Sequence, residues 1–84
     1  MKFIKLTEKN QFEELKRGDL IIVEWSNYYV EHVQGVKKIM SYNIYENKKI
    51  CNEIICQKRY NHYFNYNMYL SGESNALEVY KVVE

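Results

Sequence analysis

The run Asp19–Trp25, DLIIVEW, is apolar without a break from Leu20 to Val23. Its β-branched and aromatic residues favour an extended, pleated backbone. Successive side chains of a strand point to opposite faces, so this strand is apolar on both. Such a strand belongs in the middle of a sheet or deep in a core. The chain has 84 residues, and one of this size buries only about 60% of its unfolded surface. One small core is all it can build around that strand. The run therefore predicts a single domain over residues 1–84.

The rest of the chain supplies partners for it. Met1–Leu6 alternates weakly and reads as a first strand. Thr7–Gly18, TEKNQFEELKRG, reads as a short helix. Thr7 is placed to cap it, Glu8 meets its positive end, and Lys16 and Arg17 meet its negative end. Gly18 is the natural residue just past its end. Phe12 and Leu15 share one buried face. After Trp25, Ser26 and Asn27 allow a bend. Tyr28–Gly35 then reads as a second strand ending in a glycine turn. In Ile39–Glu46, Met40, Tyr42 and Ile44 alternate with Ser41 and Asn43, a strand signal. Glu46–Lys49, ENKK, reads as a turn with Asn47 in the left-handed conformation. Ile50–Gln57 is its hairpin partner. Residues 71–75 form a break, and Ala76–Glu84 is a last strand.

Tyr60–Leu70, YNHYFNYNMYL, carries tyrosines at 60, 63, 66 and 69. Read by twos, His62, Phe64, Tyr66, Met68 and Leu70 fall on one side and the asparagines on the other. This predicts a strand over 61–70 with a buried even face. Tyr63 and Tyr69 then point outward, and the spacing of three is incidental. The predicted core is Phe12, Leu15, Ile21, Val23, Met40, Tyr42, Ile44, Phe64, Tyr66, Met68 and Val79. Five to six short strands at intervals of about 8–12 residues predict a mostly β fold, with one short N-terminal helix. The two forms open to it are a small barrel and a strongly bent antiparallel sheet.

Leu15–Trp25, LKRGDLIIVEW, resembles the first core strand of SH3-like small β-barrels. A turn, then Gly-Asp, then a β-branched run carries the likeness. The same stretch resembles the Arg-Gly-Asp opening of MazF-type ribonuclease toxins. That second resemblance implies a phosphate contact for Arg17. The proline-bearing loop of the toxins has no counterpart, because the chain has no proline.

The residues for catalysis are sparse. Asp19 is the only aspartate, and it sits in a turn. Glu13 and Glu14 are adjacent, so on a helix they diverge by about 100°. Gly18, Gly35 and Gly72 are isolated and build no phosphate loop. A non-enzymatic protein without cofactor is expected. Cys51 and Cys56 are five apart, on opposite faces of a strand and about 16 Å along it, too far to bridge. With His32 and His62 they do not converge as zinc ligands do, so no metal is expected.

Net charge is +1, which gives no strong pull toward nucleic acid or membrane. Residues 33–62 carry Lys37, Lys38, Lys48, Lys49, Lys58 and Arg59 against Glu46 and Glu53, a local +4. No apolar run approaches the roughly 18 residues of a membrane span. The N-terminus lacks a signal-peptide core, so a cytoplasmic protein is expected. Nine asparagines, many lysines and tyrosines and no proline suit an accessory protein of a phage, plasmid or bacterium. Two functional classes follow. The favoured one is a protein-interaction module using outward Tyr63, Tyr69, Tyr28 and Tyr29, since tyrosine offers large contact area at low entropy cost. The alternative is a nucleic-acid-binding small barrel, with Lys48, Lys49, Lys58 and Arg59 on phosphates and tyrosines stacking on bases. A MazF-like toxin is the remote third.

Overall fold

A computed structural model of the chain describes residues 1–30, 33–57 and 61–84, and the backbone alone at 27–30 and 33–37. The fold is mostly β. Its strands are β1 (Lys2–Lys5), β2 (Leu20–Val30), β3 (Val33–Lys48), β4 (Glu53–Gln57), β5 (Asn61–Asn65) and β6 (Ala76–Val83). They form one antiparallel, unclosed six-stranded sheet in the order β1-β6-β2-β3-β4-β5. Two short helices, α1 (Lys9–Glu13) and α2 (Tyr66–Leu70), complete it. Among the described residues no helix is long and apolar enough to cross a membrane.

β2 lies inside the sheet, between β6 and β3, as its two apolar faces require. Ile21 and Val23 are fully buried on the core face, while Leu20 and Ile22 are half-buried on the other. The strand does not end at Ser26. It runs on to Val30, and β3 is already extended at Val33. Val30 pairs with Val33 across the two antiparallel strands, so Gly35 lies within β3 and not at the expected turn. Uneven spacing of pairs between Trp25 and Val30 absorbs the irregularity of that stretch.

Two bulges set which side chains reach the core. On β6, Glu78 pairs with Glu24 and Ala76 with Trp25, leaving Leu77 extra. Ala76 and Val79, three apart, are therefore both buried, and Leu77 is turned out. On β3, Ile44 pairs with Cys56 and Glu46 with Ile55, leaving Tyr45 extra. Tyr42 and Ile44 face the core as expected. Beyond the bulge the phase reverses, and Asn47 turns inward.

Asn47 is thus not a turn residue. Its Nδ2 donates to the carbonyls of Phe12 and Leu15, each at 2.8 Å. These belong to the group that the end of a helix leaves without internal partners. The left-handed turn residue is Asn52, at φ 52°, after a 3₁₀ turn at Lys49–Cys51. The hairpin turn lies later than ENKK accordingly. At the other end of α1, Gln11 replaces the expected Thr7 cap. Its Oε1 accepts from the backbone N–H of Thr7 (2.7 Å) and of Glu8 (2.9 Å). Gly18, with φ +96°, lies beyond the end of α1. It serves the turn into β2, where an Asp19 carboxylate oxygen accepts from the Lys16 N–H at 3.0 Å.

The predicted strand over 61–70 is half strand and half helix. Asn65 ends β5 and caps α2, its Oδ1 accepting from the Met68 N–H at 3.0 Å. A cap satisfies a helix donor that a strand would spend on a neighbour. The spacing of three between Tyr66 and Tyr69 is then helical. Phe12 stacks on Tyr66 at 5.3 Å and meets Tyr69 edge-on at 5.7 Å. Phe64 completes the group, 6.3 Å from Phe12. Met68, expected in the core, is 46% exposed because it lies on the other side of α2. Met40 is half-buried against the core. The other predicted core residues are buried, joined by Leu6, Ile54, Ile55, Cys56 and Ala76.

Asn47→Ala takes the side-chain donor from the Leu15 carbonyl and leaves the Phe12 carbonyl with the Leu15 N–H alone, and it lowers unfolding free energy by about 1–3 kcal/mol. Phe12→Ala opens the centre of the aromatic group and costs about 3–5 kcal/mol. Met68→Ala stays within about 0.5 kcal/mol of the wild type. Urea denaturation of the three variants checks this order, and an Asn47→Ala melt equal to the wild type refutes the role given to Asn47.

Candidate functional site

The core face of the sheet is open toward β5. Register determines what meets there. Ile44, Cys56 and His62 lie side by side on β3, β4 and β5. Tyr42 lies two residues before Ile44 on that face, and Ile54 pairs with Phe64 two residues beyond His62. Trp25 approaches from β2. Its Nε1 donates to the Tyr42 hydroxyl at 3.1 Å, and that hydroxyl donates to the Met40 sulfur at 3.3 Å. The His62 ring meets Tyr42 edge-on at 5.5 Å, and Trp25 meets Phe64 edge-on at 6.2 Å. These contacts fix the rings around a cavity of about 60 Å³.

Trp25, Tyr42, His62 and Phe64 form much of the cavity wall, with Ile21, Val23 and Cys56 behind and Tyr63 at the sheet edge. A water takes up about 30 Å³ of liquid, and pockets for cofactor-sized molecules start near 300 Å³. The cavity suits the end of one apolar side chain. Beside it runs a shallow groove that shares Trp25, Tyr63 and Phe64 and continues over Asn65, Met68 and Glu73. Tyr63 is 62% exposed. Among the described residues, Glu73 is the one charged residue lining the cavity and groove. Lys38 pairs with Trp25 on the same face, half-buried and engaged within the fold.

Cys56 and His62 are direct cross-strand partners, a pairing that a thiol nucleophile can use. Here burial pushes the Cys56 thiol from 9.0 up to about 11. It is held protonated at neutral pH, which suits a packed thiol and not a nucleophile. Cys51 is exposed on the 3₁₀ turn, and both cysteines are free.

The fold distributes the sequence-predicted site residues unevenly. Tyr63 is outward, as expected. Tyr69 is not: it packs half-buried against Phe12 and Phe64, because α2 replaces the expected strand. Burial is the main cause raising its phenol above the usual value. Lys48 and Lys49 are exposed at the far end of β3. The side chains of Tyr28, Tyr29 and Lys37, together with Lys58 and Arg59, lie outside the described residues. Lys38 and Lys48 are ten residues apart on one strand, about 33 Å by strand rise. A second groove gathers Lys16, Arg17, Tyr45, Asn47 and Lys49, with the Arg17 guanidinium 4.6 Å over the Tyr45 ring.

Sequence reasoning placed Trp25, Tyr42 and His62 on strands without assigning them to a site. Their meeting depends on register between strands, which no single segment encodes. Comparison with protein families, characterised proteins and solved structures returns no match.

In the folded protein a thiol reagent modifies Cys51 quickly, and Cys56 only after unfolding. The Cys56 linkage has a definite sign. Its folded pKa is raised, so its contribution is intact below the unfolded value of 9.0 and is lost as pH rises toward about 11. Cys56→Ala makes melting temperature less sensitive to pH across that window. Equal pH sensitivity in the two proteins refutes this.

Proposed function

We propose that this chain is a non-enzymatic protein-interaction module. Its partner seats an apolar side chain against the cavity formed by Trp25, Tyr42, His62 and Phe64 and lies along the groove between Tyr63 and Met68. One observation carries the reading: two large side chains, Tyr63 and Met68, stand exposed beside an aromatic-walled cavity whose lining and adjoining groove hold, among the described residues, one carboxylate. Interfaces concentrate their energy in aromatic anchors and preformed pockets of this kind. The resemblance to SH3-like small barrels belongs to the same proposal, since the Gly18–Asp19 turn starts the central strand here as it does there.

The second reading is nucleic-acid binding. The groove of Lys16, Arg17 and Lys49 with its Arg17–Tyr45 stack favours it, because cations and aromatic faces hold phosphates and bases. Arg17 is also the residue that the toxin resemblance assigns to phosphate. This groove contains Glu46 and lies apart from Tyr63.

Selection from a displayed peptide library, followed by titration on Trp25 fluorescence, separates the two. Trp25 is the only tryptophan. Peptides with an apolar anchor bind, and Tyr63→Ala weakens them by about 2 kcal/mol or more without changing the melt. Added salt leaves their affinity nearly flat. Binding of random single-stranded RNA or DNA, with a log–log salt slope of about −0.7 per neutralised phosphate and loss on Arg17→Ala with Lys49→Ala, overturns the proposal.

A further inference from the structure

The two edges of the sheet are guarded differently. β1, Lys2–Lys5, has a lysine at each end, and charge on an edge strand discourages pairing with another chain. β5, Asn61–Asn65, reads Asn-His-Tyr-Phe-Asn and carries no lysine, glutamate or proline. It pairs with β4 on one side and stands last in the sheet order. Among the described residues nothing pairs with its other side.

The five residues are matched to themselves. Laid antiparallel against a second β5 with Tyr63 on the two-fold axis, Asn61 comes opposite Asn65 and His62 opposite Phe64. Tyr63 comes opposite its own copy. Every cross-strand pair is then polar with polar or aromatic with aromatic, which favours pairing, and no like charges meet. A two-fold axis perpendicular to the sheet keeps the core faces of both copies on one side. The match also has natural limits, because the chain leaves β5 at Asn65 to begin α2. Asn61, His62 and Tyr63 are exposed and free to accept a neighbour.

We infer that β5 is a self-complementary edge through which two copies of the chain pair about Tyr63, running one sheet into the other. The contact is isologous, so it closes at two and does not propagate. It also brings Phe64 of the second copy opposite His62, beside the cavity wall. The inference goes beyond the interaction module proposed above and needs no other partner. One five-residue ladder is smaller than the roughly 800 Å² per partner of a standard interface, so the pair is weak and concentration-dependent.

Sedimentation of the chain alone, across a concentration series, tests it. The mass rises from 10.3 kDa toward twice that value, and hydrogen exchange at the amides of residues 61–65 slows as it does. Tyr63→Lys and Tyr63→Glu each set like charges opposite one another on the axis, and each alone weakens pairing about tenfold or more. Mixed in equal amounts, the two variants pair again. Circular dichroism of each variant reports that the sheet is intact, as the exposure of Tyr63 leads one to expect. A wild type that remains monomeric up to about 1 mM overturns the inference. So does a dimer that survives either substitution, or one formed without slowed exchange in β5. The wild-type series and the exchange data decide the matter even if a variant misfolds.

Discussion

The Nδ2 of Asn47, held between the carbonyls of Phe12 and Leu15, ties the end of α1 to β3. α1 has five residues, too few to persist alone in water. Gln11 satisfies donors at its start, and Asn47 satisfies acceptors at its end. The helix so fixed holds Phe12 under Tyr66 and Phe64. Those rings in turn set α2 and the far end of β5. A single amide on β3 thus governs the aromatic group that backs the cavity.

The sheet is unequal on its two faces. α1, α2 and their aromatic rings pack on the core face, which stays open toward β5. The opposite face keeps Leu20, Ile22, Tyr80 and Val82 half-buried among their strand neighbours. Glu24 and Glu78 stand directly opposite one another there. Lys5 offsets the charge of Glu78 through an ion pair at 3.1 Å, and the Tyr80 hydroxyl donates to the same carboxylate. Like charges in cross-strand positions are unfavourable, and these two further contacts compensate within the same row of side chains. The apolar character that placed β2 at the centre therefore goes only partly into the core.

Much of the sheet was legible because local pattern and tertiary environment agree. β2 is apolar on both faces and lies inside. Tyr42 and Ile44 alternate and are buried. The break at residues 71–75 separates α2 from β6. Failures occur where one segment needs another to decide it. Asn47 and Asn52 are the same residue type near the same turn, and only the distant carbonyls of α1 distinguish the helix anchor from the left-handed position. Asn65 looks like a polar strand residue until its side chain caps α2. The alternation from His62 to Leu70 continues in sequence after the backbone has changed from extended to helical. Of the candidate site, Tyr63 was readable as outward. The pairing of His62 with Cys56, and the approach of Trp25 to Tyr42, rest on register.

The bulge at Tyr45 gives β3 two parities, one on each side of a single extra residue. Up to Ile44, even numbers face the core; at Asn47, an odd number does. A strand built this way depends on how it pairs in a manner that composition does not reveal. Plain alternation through Ile44, Tyr45, Glu46 and Asn47 would present Asn47 to solvent and Glu46 to the helix carbonyls, whereas loss of Tyr45 alone would remove the bulge and leave Asn47 facing the core. The facing of Asn47 is thus a property of the two-against-one pairing with β4, and drawing Tyr45 into the ladder as an ordinary partner would undo it without changing a single residue.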